Sequence, residues 1–116
     1  MQCWSGHRGS ACKSLGELLG RMHREGFTHR DLKGSNIIFD EQGQPHLIDL
    51  DGLRIVRRVS DSQAAADLAR LVRDARSWPR QASRSDRARF LVAYCRARRL
   101  PDWRGWWRLI EQRLQR

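Results

Sequence analysis

Eight consecutive residues with a single apolar side chain among them, His29-Arg30-Asp31-Leu32-Lys33-Gly34-Ser35-Asn36, lie between a helical pattern and two short β-prone runs. No other feature constrains the fold as tightly. So polar a stretch cannot be a core element, so it must be a loop shaped by what flanks it. Upstream, Ser14 and Glu17 form an S-x-x-E capping pattern, and Leu15, Leu18, Leu19 and Met22 share one helical face, which predicts a helix from Ser14 that ends before Gly26. Downstream, Ile37-Ile38-Phe39 and Leu47-Ile48 are separated by Asp40-Glu41-Gln42-Gly43, the pattern of a small hairpin. Such a hairpin returns the chain to the mouth of the loop.

The rest of the chain reads as helices. Ser60, with Gln63 three residues on, is expected to cap a helix that turns Ala64, Leu68, Leu71 and Ala75 inward and stops at Trp78-Pro79. Another is predicted from Ser85 to Arg99 with Phe90, Tyr94 and Ala97 inward, ended by Pro101. The last follows Asp102 and places Trp103, Trp106, Trp107, Ile110 and Leu114 on one stripe. Such a stripe more often packs against other helices than lies on a membrane, although Arg104, Arg108, Arg113 and Arg116 beside the indoles keep an anionic membrane face as the alternative. Residues 1–13 have no periodicity and are read as a poorly ordered lead-in, leaving 14–116 as the folded unit. At 116 residues the chain can bury one modest core.

Charge is divided unevenly. Residues 1–53 carry six basic and seven acidic side chains, whereas 54–116 carry seventeen arginines, no lysine and six acids. A basic face of this kind attracts phosphates, but without a recognisable binding motif it gives no reason to expect nucleic acid. The arginines at 84–89 and 96–99 are read as solvated faces. Three cysteines in no framework spacing fit a reducing compartment, and Cys3, His7 and Cys12 lack a second half-site for a metal. No run of 18 apolar residues and no signal-peptide layout is present, so the expectation is a soluble, cytoplasmic chain.

The polar loop carries the residue types that phosphoryl transfer from a nucleotide needs: a carboxylate to accept the proton of the attacking hydroxyl, and oxygen donors to hold Mg²⁺ on the phosphates. Asp31 suits the first role. Asn36, five residues later, and Asp49, at the far end of the hairpin, suit the second, while Lys33 lies where an ammonium can neutralise the transferring phosphoryl group. His29 is read as packing under the loop. Each residue alone is a weak signal; their order and context together are a strong one.

The segment His29–Asn36 resembles the catalytic loop of protein kinases, and Leu47-Ile48-Asp49-Leu50-Asp51-Gly52-Leu53-Arg54 resembles their metal-binding motif, at the expected separation of thirteen residues from Asn36. Leu50 and Asp51 replace the usual Phe and Gly. That departure, the short link of Leu53 to Val59 before the next helix, and the lack of an Ala-Pro-Glu sequence point away from peptide acceptors. The Ile-Asp-Leu-Asp-Gly stretch is similar to lipopolysaccharide core kinases, which phosphorylate heptose or 3-deoxy-octulosonic acid (Kdo).

The resemblance implies an α+β fold: a kinase-like C-terminal lobe, mainly helical with a small β-hairpin, the N-terminal lobe being absent. It further implies ATP and Mg²⁺ as cofactors, with Asp31 and Lys33 catalytic, Lys33, Asn36 and Asp49 on the nucleotide and metal, and His29, Arg30 and Asp67 supporting the loop. Asp67 would be the buried acid that braces it; a solvated helix charge is the alternative. The acceptor would be a sugar or glycolipid, met at the cytoplasmic face of the inner membrane. Nothing here resembles the Gly-rich loop or strand lysine of an ATP-gripping lobe, so a complementing N-lobe is an expected partner. Another small-molecule kinase, an atypical protein kinase and an inactive kinase remnant stand as rivals.

Overall fold

A computed structural model describes residues 8–73 and 83–115. In chain order these form α1 (Arg8–Arg24), β1 (Phe27–His29), a single 3₁₀ turn (Gly34–Asn36), β2 (Ile37–Phe39), β3 (Pro45–Leu47), β4 (Leu53–Ile55), α2 (Asp61–Arg73), α3 (Arg84–Arg98) and α4 (Trp103–Leu114). The architecture is mixed: four helices and two small antiparallel sheets among the described residues.

The first helix begins at Arg8, so Ser14 lies inside it and does not cap it. Residues 8–13, read as a lead-in from sequence, are its first turns, and residues 1–7 lie outside the described range. The reason is packing. Cys12 extends the Leu15, Leu19 and Met22 stripe by one turn and is fully buried. This helix lies along α3 at very short range. A Cβ at Gly20 would stand 2.6 Å from the Tyr94 carbonyl oxygen, and one at Gly16 would overlap the Phe90 carbonyl, so both positions need glycine for the helices to meet.

The later helices start close to where the sequence places them. Ser60 and Gln63 form the expected reciprocal cap on α2, the Gln63 amide donating to Ser60 Oγ at 3.1 Å and the Ser60 amide to Gln63 Oε1 at 3.3 Å. Ala64, Leu68 and Leu71 are buried as predicted, while Ala75 and the Trp78-Pro79 stop lie outside the described residues. Helix α3 is capped by Ser83 with Asp86, and Asp102 caps α4 by accepting from the Arg104 amide. Trp106 and Ile110 are buried, and Trp103, Trp107 and Leu114 pack half-buried against the same core, so the tryptophan stripe is mainly interior.

One arginine departs from the solvated face expected of it. The Arg98 side chain is 10% exposed. It donates to Tyr94 Oη and the Val59 carbonyl, both at 3.3 Å, and sits 5.3 Å from the Trp106 ring centroid. Its planar, weakly hydrated charge suits such stacking.

The expected hairpin is β2 with β3, in the register Ile37 to Leu47 and Phe39 to Pro45. Its turn is closed by Asp40, whose carboxylate accepts from the Gln42 and Gln44 amides, each at 2.9 Å. A second two-stranded sheet, β1 with β4, pairs Phe27 with Ile55 and His29 with Leu53. Strands this short, far apart in sequence and of mixed polarity, leave no periodic signal. This pairing brings the start of the polar loop against the segment that follows Asp49.

Candidate active site

The loop is organised from beneath by one imidazole. His29 is fully buried at the end of β1. The Asp31 amide donates to His29 Nδ1 at 3.1 Å, which leaves Nε2 as the protonated nitrogen, and this donates to the Asp49 backbone carbonyl at 2.7 Å. One ring thus holds the backbones of Asp31 and Asp49 on its two sides. The Arg30 amide adds a bond to the Gly52 carbonyl at 2.9 Å. Space here is minimal, since a Cβ at Gly52 would stand 2.9 Å from His29 Cε1 and 3.2 Å from the Asp31 nitrogen.

Asn36 closes the loop from the other side. Buried at the end of the 3₁₀ turn, it donates from Nδ2 to the Asp31 carbonyl at 3.1 Å, and its own carbonyl accepts the Ile48 amide at 3.0 Å. The two ends of the hairpin are therefore both pinned to the loop. With Nδ2 committed, Oδ1 is the Asn36 atom left to serve as a metal donor.

Above this scaffold the charged side chains are open to solvent. Asp31 is 65% and Lys33 40% exposed, and Lys33 Nζ lies 3.5 Å from Asp31 Oδ2. Asp49 is also exposed, and one carboxylate oxygen accepts the Asp51 amide at 3.2 Å. Two hard oxygen donors, the Asn36 amide and the Asp49 carboxylate, suit Mg²⁺, which retains water and phosphate oxygens for its remaining positions. Among the described residues, no group of three or more His, Cys, Asp or Glu side chains could hold a metal.

Asp67 lies below, 2% exposed. Its Oδ2 accepts from the His29 amide at 3.0 Å, Thr28 Oγ1 at 2.5 Å and His23 Nε2 at 2.9 Å, and its Oδ1 accepts from Arg70 at 2.9 Å. Burial pushes this carboxyl up, but hydrogen bonds from His23, Thr28 and the His29 amide outweigh it and hold the group below the ordinary carboxylate value. A solvated helix charge is thereby ruled out for Asp67. His23 continues inward to Tyr94 Oη at 2.6 Å, and burial drives the Tyr94 phenol well above its ordinary value. Reading the sequence did not single out His23 or Thr28, and it placed Tyr94 only as an inward-facing core residue. They lie on three different elements, and only the fold brings His23 and Thr28 to the Asp67 carboxylate and Tyr94 to His23.

Residues 3–94 match the lipopolysaccharide kinase (Kdo/WaaP) family model. Curated relatives agree over shorter segments. A 66-residue stretch is 38% identical to 3-deoxy-D-manno-octulosonic acid kinase of Stenotrophomonas maltophilia (strain K279a), covering 57% of this chain and 26% of the relative. The proteins of that name from Xanthomonas euvesicatoria pv. vesicatoria (strain 85-10) and Xylella fastidiosa (strain 9a5c) are 46% identical over 44 residues and 41% over 63. These matches cover 38% and 53% of this chain, and 18% and 24% of the relatives. The matched segments span about a quarter or less of these relatives.

Proposed function

Since the chain belongs to the lipopolysaccharide kinase (Kdo/WaaP) family, we propose that it is the kinase-like C-terminal lobe of an ATP-dependent enzyme that phosphorylates a sugar hydroxyl, of Kdo or heptose, in the lipopolysaccharide core. The observation that carries this reading is the His29 bridge, which seats Asp31 and Asp49 on either side of one buried ring. A proton acceptor and a metal ligand at fixed separation are what in-line transfer to a hydroxyl requires.

In this reading Asp31 orients the acceptor hydroxyl and takes its proton. Asn36 Oδ1 and Asp49 would hold Mg²⁺, and Lys33 would screen the charge of the transferring group. Mg²⁺, when bound, supplies neutralisation of the phosphate oxygens. Asp67 and His29 act from below by fixing the loop backbone, and Arg30 does so through its amide. An ATP-gripping lobe from the remainder of a longer protein, or from a second chain, would complete the nucleotide site. The names of the relatives support Kdo as the acceptor ahead of other small molecules.

The test is phosphoryl transfer from radiolabelled ATP to Kdo-containing and heptose-containing lipid, with aminoglycoside and protein acceptors alongside, using the chain with and without a complementing lobe. Label on the glycolipid, lost with Asp31→Asn, is the expected result. Transfer to an aminoglycoside or protein alone would sink the acceptor assignment. Isothermal titration that finds no Mg-ATP affinity even with a complementing lobe present would instead support an inactive kinase remnant.

A further inference from the structure

Helices α1 and α3 stay in contact over a full turn, with Gly16 against Phe90 and Ala93 and Gly20 against Tyr94 and Ala97. Outside this seam they enclose a groove of about 1270 Å³ that reaches Gln44 in the β2–β3 turn. No residue of the candidate active site lines it. The α1 wall is Lys13, Glu17, Arg21 and Arg24, one stripe spaced i, i+4, i+8 and i+11. The α3 wall is two adjacent rows, Ala88, Val92 and Arg96 beside Arg89, Ala93 and Ala97, each spaced i, i+4 and i+8. Rows of this spacing are the ridges between which a further helix packs.

A helix about 10–12 Å across, rising about 1.5 Å per residue, fills roughly 120–170 Å³ per residue, so the groove holds roughly eight to eleven residues of one. Its base is formed by Ala88, Val92, Ala93 and Ala97, small groups that leave room for the larger apolar side chains of an incoming helix. The rim is cationic, with Glu17 as the one acid among the described lining residues. Arg89 is paired with Asp86 at 3.3 Å and Arg24 lies 3.9 Å from Glu25, whereas Lys13, Arg21 and Arg96 form no ion pair among the described residues. Like charges facing one another across a concave surface repel until carboxylates enter.

Other occupants match one part of the groove and not the rest. A small inorganic anion leaves the apolar base unused. An added peptide strand needs an open sheet edge, and the walls here are helices, whose backbone groups are paired internally. Polyproline segments and single-stranded nucleic acid need aromatic rings, and no aromatic residue lines this groove. A second copy of the chain carries a formal net charge of +10 and is repelled by the rim. We propose that the α1–α3 groove seats a short amphipathic helix of a partner polypeptide, its apolar stripe on the alanine and valine base and its acidic flanks against Lys13, Arg21 and Arg96. Such docking is independent of phosphoryl transfer, since it uses no residue of the candidate active site.

The test uses the full chain and a synthetic peptide of about 14 residues, held helical by one i, i+4 lactam because so short a helix is marginal alone in water. The peptide carries leucine at i, i+3, i+4 and i+7 and glutamate on both flanks. A control peptide differs only by a central proline, which keeps the charge and breaks the helix. Fluorescence anisotropy should show the helix binding at least about tenfold more tightly than the control. Arg21→Gln with Arg96→Gln should weaken it about fivefold, the loss of two partly exposed ion pairs. Val92→Glu should weaken it about tenfold by placing a carboxylate on the base. Removing equal charge from α4 with Arg104→Gln and Arg108→Gln should leave binding nearly unchanged. Thermal melts confirm folding, and if the double variant unfolds, Arg96→Gln alone carries the same test. Equal affinity for the two peptides, or equal weakening by the α1–α3 and α4 pairs, overturns the proposal. So does a dimer in analytical ultracentrifugation that Val92→Glu breaks, which would give the groove to a second copy. Tight binding to duplex DNA that Arg21→Gln with Arg96→Gln abolishes would overturn it as well, by assigning the groove to nucleic acid.

Discussion

His29 donates its Nε2 proton to the Asp49 backbone carbonyl across 2.7 Å, joining two residues twenty positions apart at the base of the site. The same ring accepts the Asp31 amide, so an imidazole serves as a rigid spacer between the loop and the end of the hairpin. The carboxylates above it stay solvated. Geometry is set from the interior while charge remains at the surface, which keeps the acidic side chains clear of the cost of burial.

Replacing His29 with Phe retains the ring but removes both of its hydrogen bonds, leaving the Asp31 amide and the Asp49 carbonyl without these partners. Stability should fall by about 1–3 kcal/mol. Urea unfolding followed by circular dichroism measures this, and an unchanged midpoint would show that the bridge does not hold the loop.

Two glycines separate crowding from backbone strain. Gly52→Ala drives a methyl into the His29 ring and should cost about 1–3 kcal/mol through overpacking. Gly43 has open space around it but lies at φ 79°, so Gly43→Ala should cost about 1 kcal/mol and Gly43→Asn less, because Asn tolerates that backbone region. Thermal melts of the three variants should rank in that order.

Asp67 makes stability depend on pH in the acid range. Its folded carboxyl is held below the ordinary value of 3.8, so the unfolded chain binds the proton more readily. The stabilisation is fully present above that ordinary value and is lost as pH falls through the lower folded-state value. Asp67→Asn should therefore flatten this part of the acid-unfolding curve. Asp67→Ala, which leaves His23 and the His29 amide without their acceptor, should cost about 3–5 kcal/mol at neutral pH.

Asp31 should behave in the opposite way. Its side chain is largely solvated, so Asp31→Asn should shift stability by no more than about 0.5 kcal/mol. In the complemented enzyme the same change should reduce kcat about 10²- to 10⁴-fold, the usual contribution of a general base. A stable but fully active Asp31→Asn protein would remove Asp31 from the chemistry.

Trp106→Ala tests the interior role of the last helix. The buried indole meets Tyr94 edge-on at 5.5 Å and carries Arg98 on its face, so its loss should cost about 3–5 kcal/mol. Trp103→Ala, at a half-buried position, should cost clearly less in the same denaturation assay.

The later helices, the reciprocal cap at Ser60, the small hairpin and the order of His29, Asp31, Lys33, Asn36 and Asp49 along the chain were legible in the residues alone. Each depends on contacts within a few positions along the chain, where side-chain type and spacing carry the information. The start of α1 at Arg8 was not legible, because Ala11 and Cys12 show no helical signal until α3 offers a surface on which to bury them. Arg98 was misread for the same reason: its exposure depends on Tyr94 and Trp106 from separate turns.

What the sequence determined by itself was the local chemistry of the loop and the order of the elements around it. Only the tertiary structure decided how that loop is held, by pairing β1 with β4, drawing His29 under Asp49 and gathering His23, Thr28 and the His29 amide on Asp67. Local periodicity depends on nearest neighbours, whereas a carboxylate on α2 buried against donors from α1 and β1 exists only once those three elements have packed.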